Sequence, residues 1–182
     1  MLGGKKILSN DKQQVISEWY SQYSHSIFSY ILLMIQDQQL AEDLTQETFI
    51  KAYKNYASFK GNSSPKTWLF TIARHTTIDY VRKRKPVSYL KELLTVKKDK
   101  EPLPDEVVQI KESSKELYDA LSHLKKTYRD VLILRKVKEF STKETAEILN
   151  CSESKVKSTL NRAIPALEKQ LLKEGYLHEN SI

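Results

Sequence analysis

The sequence predicts an all-α protein: two small helical domains joined by a flexible linker, the second containing a helix-turn-helix. Three observations predict it. Only four Gly and five Pro occur in 182 residues, too few punctuating residues for a chain rich in strands and turns. Apolar residues recur at spacings of three and four through most of the chain, the period of a helix with one buried face. Between about 86 and 110 that pattern lapses into KKDKEPLPDE, a charged stretch with two prolines that reads as a linker. The cut places a first domain at about 10–85, the linker at 86–110 and a second domain at 111–175, with the two domains moving independently.

The first helix is expected over residues 12–35, where Val15, Trp19, Tyr23, Ile27, Tyr30 and Met34 make one apolar stripe. Its run IFSYILLMI is about half the length of a bilayer span and includes Ser29 and Tyr30, so a buried core helix is expected. Gln36-Asp37-Gln38 breaks the pattern. A second helix, about 39–57, turns Leu40, Ala41, Leu44, Thr48 and Ala52 inward at 100° per residue. Asp43, Gln46, Glu47, Ile50 and Lys54 fall on another side. An apolar Ile50 ringed by polar groups has the make-up of a partner-binding anchor, although a solvated face with one exposed Ile has the same composition.

Lys60-Gly61-Asn62-Ser63 is turn chemistry, and Ser64-Pro65 starts a third helix with Ser as cap and Pro in the first turn. That helix is expected to reach about Arg84, with Leu69, Ile72, Ala73, Thr76 and Tyr80 along one stripe and Arg74, Thr77, Val81 and Lys85 facing the other way. It ends in RKRK before Pro86. A small polar loop beside Trp68, Phe70 and a basic helix suits the unstacked bases of a single strand. Equally, the aromatics suit a core and the basic run suits a solvated helix end. Both readings stay open on the residues alone.

Leu117, Leu121, Leu124, Tyr128, Val131, Leu132, Leu134 and Val137 supply the core of the second domain. Its helix-turn-helix lies between Phe140 and Leu172. Ser141 caps the first helix with Glu144 closing a capping box, and Asn150 takes the left-handed turn. Ser152 caps the second helix. Ala146 is small enough for a close crossing, and Val156, Leu160 and Ala163 face inward. Ser154, Lys155, Lys157, Ser158, Asn161 and Arg162 face outward, all able to reach phosphates or base edges.

The net charge of +7, from 30 Lys and Arg against 23 Asp and Glu, suits a polyanionic partner. One cysteine, Cys151, excludes an intrachain disulfide framework, and no leader is visible at the N-terminus, so a soluble cytoplasmic protein is expected. Two other functions compete. A one-protein repressor or activator would leave the first domain without a purpose. A nucleic-acid enzyme would lean on the i, i+4 pairs Asp43 with Glu47 and His75 with Asp79, but no HExxH, CxxC or Walker pattern accompanies them. No catalytic residue, metal or cofactor is therefore expected.

Three motifs in order give the chain its resemblance. AEDLTQETFIKAY (41–53), FKGNSSPKTWLFTIARHTTIDYVRKRK (59–85) and YRDVLILRKVKEFSTKETAEILNCSESKVKSTLNRA (128–163) resemble regions 2.2, 2.3–2.4 and 4 of a bacterial RNA polymerase sigma factor of the extracytoplasmic-function group of the sigma-70 family. The resemblance implies a transcription initiation factor without enzyme activity of its own. It implies core polymerase binding by Asp43, Gln46, Glu47 and Ile50. It implies −10 DNA contacts from Lys60, Asn62, Ser63, Ser64, Lys66, Trp68, Arg74 and Arg82, with Asn62 to Ser64 as the pocket for a flipped base. Contacts to −35 DNA fall to Ser152, Ser154, Lys155, Lys157, Ser158, Asn161 and Arg162. Implied partners are the β′ clamp helices and β flap of core polymerase, promoter DNA and a membrane-anchored anti-sigma factor, in a cell-envelope or stress response; no small-molecule substrate is implied. Three positions depart from the family pattern. Lys125 stands where proline usually follows Leu124, Thr145 replaces an aliphatic residue, and Pro165 is expected to kink or break the recognition helix.

Overall fold

Helix α1 (Gly3–Ile35) is the long element against which both halves of the molecule pack. The computed structural model describes residues 3–92 and 112–175, with side chains described over 11–83 and 116–175. Among the described residues there is helix and no strand, in the expected order. Gln36 takes a left-handed conformation (φ 59°) after α1, and Asp37 caps α2 (Gln38–Asn55) by accepting from the Leu40 N–H at 2.9 Å. A single 3₁₀ turn (Tyr56–Ser58) leads to the loop at Gly61 (φ 70°), a conformation glycine adopts without strain. Ser64 Oγ then accepts from the Thr67 N–H at 3.1 Å, capping α3 (Pro65–Glu92) as expected.

Helix α3 runs through Pro86 to Glu92, beyond the expected linker start at 86. A proline deletes one donor from the helical ladder, but its ring holds φ near the helical value, so a helix can resume beyond it. The rest of the expected linker, residues 93–111, lies outside the described residues.

The second half comprises α4 (Glu112–Ser122), α5 (Lys126–Leu132), α6 (Thr142–Leu149) and α7 (Glu153–Lys173). Helix α5 ends in a π-helical turn, Ile133–Val137, with the Lys138 N–H donating to the Ile133 carbonyl at 2.8 Å. The wider turn rotates the segment that continues from it. Val137, expected in the core, is 40% exposed, whereas Phe140 is buried. The helix-turn-helix keeps closely to the sequence reading: a capping box between Ser141 and Glu144, Asn150 left-handed at φ 50°, and Ser152 capping α7. Helix α7 continues through Pro165 instead of ending there. Residues on both sides of the proline, Ala163, Ile164, Ala166 and Leu167, pack into the core, which offsets the hydrogen bond that proline cannot make.

The expected stripes face inward, with Val15, Trp19, Tyr23, Leu40, Ile72 and Tyr80 half-buried and the rest buried, but they are too narrow. Ile31 and Leu32 on α1, Phe49 on α2 and Phe70 and Thr77 on α3 are buried beyond them. The extra breadth on α1 and α3 has one cause. Residues of both halves, from Ile16 to Ala163, form one continuous hydrophobic cluster, so these two helices are covered on a second side by the C-terminal half. The structure thus brings the two expected domains into contact. The two helical domains are docked on one another.

Thr145 is fully buried, and its hydroxyl finds no hydrogen-bond partner. Thr145→Val should raise the unfolding free energy by about 1 kcal/mol, because a methyl replaces an unsatisfied polar group. Denaturant titration measures this; a loss of stability would mean that the hydroxyl is bonded in solution.

Candidate polymerase and nucleic-acid interfaces

The outer face of α2 is open to solvent. Asp43, Gln46 and Glu47 are exposed, and Ile50 is 53% exposed although it is a large apolar side chain. Glu47 is tied along the helix to Lys51 at 2.8 Å, and Lys51 also donates to Thr76 Oγ1 on α3 at 3.1 Å. Two aromatic residues missed in the sequence extend this apolar surface. Tyr20 stands edge-on to Phe49 with centroids 4.9 Å apart, and Tyr53 lies under the Lys12 ammonium at 4.0 Å; both tyrosines are substantially exposed. Their signal lay in the sequence, since both fall outside the apolar stripes of their helices.

The loop before α3 and the first turns of α3 hold the expected −10 set in three different environments. Lys60, Asn62 and Ser64 are exposed and Ser63 is half-buried beside the Gly61 turn. Trp68 belongs to a half-buried aromatic group with Trp19, Tyr56 and Phe59, its ring 5.2 Å from Phe59 and 6.0 Å from Trp19. Arg82 is exposed and pairs with Asp79 at 3.1 Å. Phe70 is buried outright between Tyr30 and Phe140, with centroids 5.4 and 4.7 Å away. Lys66 and Arg74, also of the expected −10 set, meet the C-terminal half in this structure. The Lys66 ammonium sits 4.7 Å over the Phe140 ring, and Arg74 Nε donates to Asp130 Oδ2 at 2.7 Å.

On α7 the arrangement is that of a recognition helix with its polar side outward. Val156 and Ala163 are buried, while Ser154, Lys155, Lys157, Ser158, Asn161 and Arg162 are exposed. Ser152 Oγ is occupied as the cap, accepting from the Lys155 N–H at 3.2 Å, and Ser158 Oγ donates to the Lys155 carbonyl at 3.1 Å. The free N-terminal turns of such a helix fit a DNA major groove.

A polar seam runs where the two halves meet, and the sequence reading missed it. Asp130, 2% exposed, receives the Tyr30 hydroxyl on Oδ1 at 2.8 Å and Arg74 on Oδ2. Burial, then the neighbouring Asp130 charge, raises the Tyr30 hydroxyl well above its usual pKa. Arg129 donates to the Met34 carbonyl at the end of α1, as well as to the Leu121 and Ser122 carbonyls of α4, and burial lowers its pKa. Gln36 donates to the Tyr118 carbonyl at 3.0 Å; burial pushes the Tyr118 hydroxyl up to about 12. Thr67 donates to Glu144 at 3.3 Å. Hydrogen bonds from Ser141, opposed in part by burial, hold the Glu144 carboxyl below its usual range. Lys138 donates to Ser29 Oγ at 2.9 Å, and burial followed by repulsion from Lys66 brings its ammonium down to about 8.

Comparison with known proteins gives these surfaces a context. Residues 19–87 match the family model for sigma-70 region 2, and residues 114–167 match that for sigma-70 region 4. The chain is 38% identical to the ECF RNA polymerase sigma factor SigX of Bacillus subtilis, covering 88% of this chain and 86% of that one. It is 40% identical to SigM of the same organism, over 81% and 90% of the two chains. Among solved structures it resembles the sigma factor RpoE of Bartonella quintana, determined in complex with the anti-sigma factor NepR, with a TM-score of 0.72 and 26% identity over 86% of this chain and 96% of that one. CnrH, determined with the cytosolic domain of CnrY, shares the fold at a TM-score of 0.67 and 18% identity, over 91% and 95% of the chains.

The half-buried Lys138 ammonium fixes the sign of one pH effect. Its folded pKa of about 8 lies below the ordinary lysine value of 10.5, so the burial penalty is full below pH 8 and is relieved as pH rises through that range. Stability should therefore increase between about pH 8 and 10, with a slope of at most about 1.4 kcal/mol per pH unit, until the raised tyrosines act in the opposite direction. Lys138→Met should flatten this rise. Urea titrations across that window measure it, and an equal slope in both proteins would contradict the assignment.

Proposed function

The chain belongs to the extracytoplasmic-function group of sigma-70 RNA polymerase sigma factors, and from that premise we propose which of its surfaces carry each step of initiation. As an alternative sigma factor it binds core RNA polymerase and directs promoter-specific transcription initiation. Its work is binding and positioning. Residues 10–85 act as the polymerase-binding and −10 domain, and residues 111–175 as the −35 domain. The outer face of α2, with Ile50 as apolar anchor among Asp43, Gln46 and Glu47, docks on the β′ clamp helices. The second domain approaches the β flap.

The observation that carries the DNA assignment is α7 itself, anchored inward by Val156 and Ala163 and outward entirely polar at the turns before Pro165. Ser154, Lys155 and Ser158, on the N-terminal turns, read −35 bases. Lys157, Asn161 and Arg162 hold the flanking phosphates. In the first domain the Asn62 to Ser64 loop takes a flipped −10 base, with Lys60, Lys66, Arg74 and Arg82 on the backbone and Trp68 as one wall. Unstacking a base costs a few kcal/mol, which pocket contacts and phosphate pairing offset.

A further partner and a compartment belong to this reading. RpoE of Bartonella quintana forms a complex with an anti-sigma factor, and a restraining protein of that kind, membrane-anchored and released by envelope stress, suits this chain. The chain then works in the cytoplasm beside polymerase. No helix among the described residues is long and apolar enough to cross a membrane.

Ile50→Glu combined with Gln46→Ala should abolish binding to purified core polymerase while thermal melting stays within a few degrees of wild type, since both side chains are exposed. Unfolding of the double variant would show that this face is core. On the DNA side, Lys155→Ala with Ser158→Ala should lose about 1–3 kcal/mol of preference for the cognate −35 sequence over scrambled DNA. Lys157→Ala should weaken both sequences alike and reduce the salt slope by about one. Full sequence preference in the first variant would overturn the assignment of base-reading residues.

A further inference from the structure

We propose that Trp19, a residue of α1 outside the DNA-facing set, is a positioning residue for −10 base capture: through Phe59 and Trp68 it fixes the Asn62 to Ser64 loop. The proposal deepens the −10 reading above and rests on it.

Four half-buried rings meet where the loop leaves the first domain. Trp19 touches the other three, with centroids 5.8 Å from Tyr56, 5.2 Å from Phe59 and 6.0 Å from Trp68. Phe59 stands edge-on to Trp19 at 83° and lies 5.2 Å from Trp68. Ring pairs of this kind set orientation as well as burying area, because the electropositive edge of one ring seeks the face of the next. Trp19, Tyr56 and Trp68 pack in turn against the hydrophobic core. Phe59 is thereby tied to the core through the tryptophans, and it directly precedes the loop.

The loop depends on that tie. Its far end is fixed by Ser64, whose Oγ accepts from the Thr67 N–H at 3.1 Å and whose carbonyl accepts from the Trp68 N–H at 3.0 Å. At its near end the Phe59 N–H donates to the Tyr56 carbonyl at 3.0 Å, and the Phe59 ring rests against both tryptophans. The tip between these ends is open. A Cβ built on Gly61, at φ 70°, would meet nothing within 4 Å beyond its chain neighbours, and Lys60 and Asn62 are exposed. A loop with an open tip takes its geometry from its two ends. One end is the Ser64 cap; the other is Phe59, and Trp19 holds Phe59 and the Trp68 wall as one piece. A base entering the loop then meets a pocket already shaped, which spares it the ordering cost of forming one.

The test uses the full chain. The sequence holds two tryptophans, Trp19 and Trp68, so Trp19→Phe and Trp19→Leu each leave Trp68 emission as a direct report on the ring group. In Trp19→Leu that emission should shift to the red. Trypsin cleavage after Lys60 should rise ~10-fold relative to cleavage after Lys155 in α7, as the loop opens locally. Bound to core polymerase, wild type should enrich one base at one position from a single-stranded DNA pool of random sequence, with core polymerase alone as background. Trp19→Leu should lose roughly tenfold of that enrichment, the scale of one stacked base. The salt dependence of binding should stay unchanged, because no cation is removed. Trp19→Phe should keep a blue Trp68 emission, slow Lys60 cleavage and the base preference. Phenylalanine and leucine are close in volume, so a Trp19 that only fills space would give the same result for both. Should Trp19→Leu fail to fold, Phe59→Leu breaks the same link from the loop side and decides. Full base preference in the leucine variant, or a phenylalanine variant no better than leucine, overturns the proposal. Absence of any base preference in wild type would sink the −10 reading instead; the positioning of the loop is still decided by emission and cleavage, which need no DNA.

Discussion

A carboxylate held in a protein interior dictates terms to its surroundings, and in this molecule that carboxylate is Asp130. An unpaired charge at that depth would be strongly destabilising; removing one partner of such a pair typically costs ~3–5 kcal/mol. Both oxygens must therefore be met, and the partners that meet them sit on α1 and α3. This requirement shapes the rest of the arrangement: α5 lies across both helices, Phe140 is carried onto Phe70, and the single cluster of buried residues spans both domains. The hydrophobic contact supplies most of the attraction. The charged centre fixes register, since a displaced α5 would strand the carboxylate.

The elements of each domain were legible because their causes are local. Ser141 with Glu144, Asn150 and Ser152 mark helix ends by chemistry acting within four residues, and each does in the structure what its type suggests. Stripes on α1, α2 and α3 were legible for the same reason, through periodicity. What escaped was the meeting of distant segments. Tyr30 and Asp130 are a hundred positions apart, and nothing in the local pattern of either announces the other. One signal was present: an acidic residue directly before the apolar run Val131 to Leu134, at a place where solvent would suit it better than the core. The widened burial of Phe70 and Thr77 belongs to the same omission, because a periodicity argument assigns one inward face and α3 has two.

The candidate sites divide along the same line. Residues assigned to the α2 face and to α7 lie where helical geometry placed them, exposed and free of the other domain. Those on α3 do not form one surface in this conformation. Arg82, Lys60 and Asn62 face solvent, Trp68 is part of an aromatic group, and Lys66 and Arg74 are engaged across the seam. A sequence motif specifies which side chains a surface will contain when it acts; it is silent on what occupies them beforehand.

The π-helical turn at Ile133–Val137 has a bearing on descent as well as on packing. A turn of this kind holds one residue more than an α-helical turn, which is how a helix absorbs a single-residue insertion without rewinding everything downstream. Segments on its two sides then obey different phase rules: counting inward faces from Val131 gives Val137 the place that Phe140 holds. Relatives lacking the extra residue would align cleanly on either side of it and be one position out across it. For this chain, a numbering transferred from such a relative would shift every residue beyond the turn by one, and a deletion at Lys136 would be the natural way to return the segment to plain α-helix.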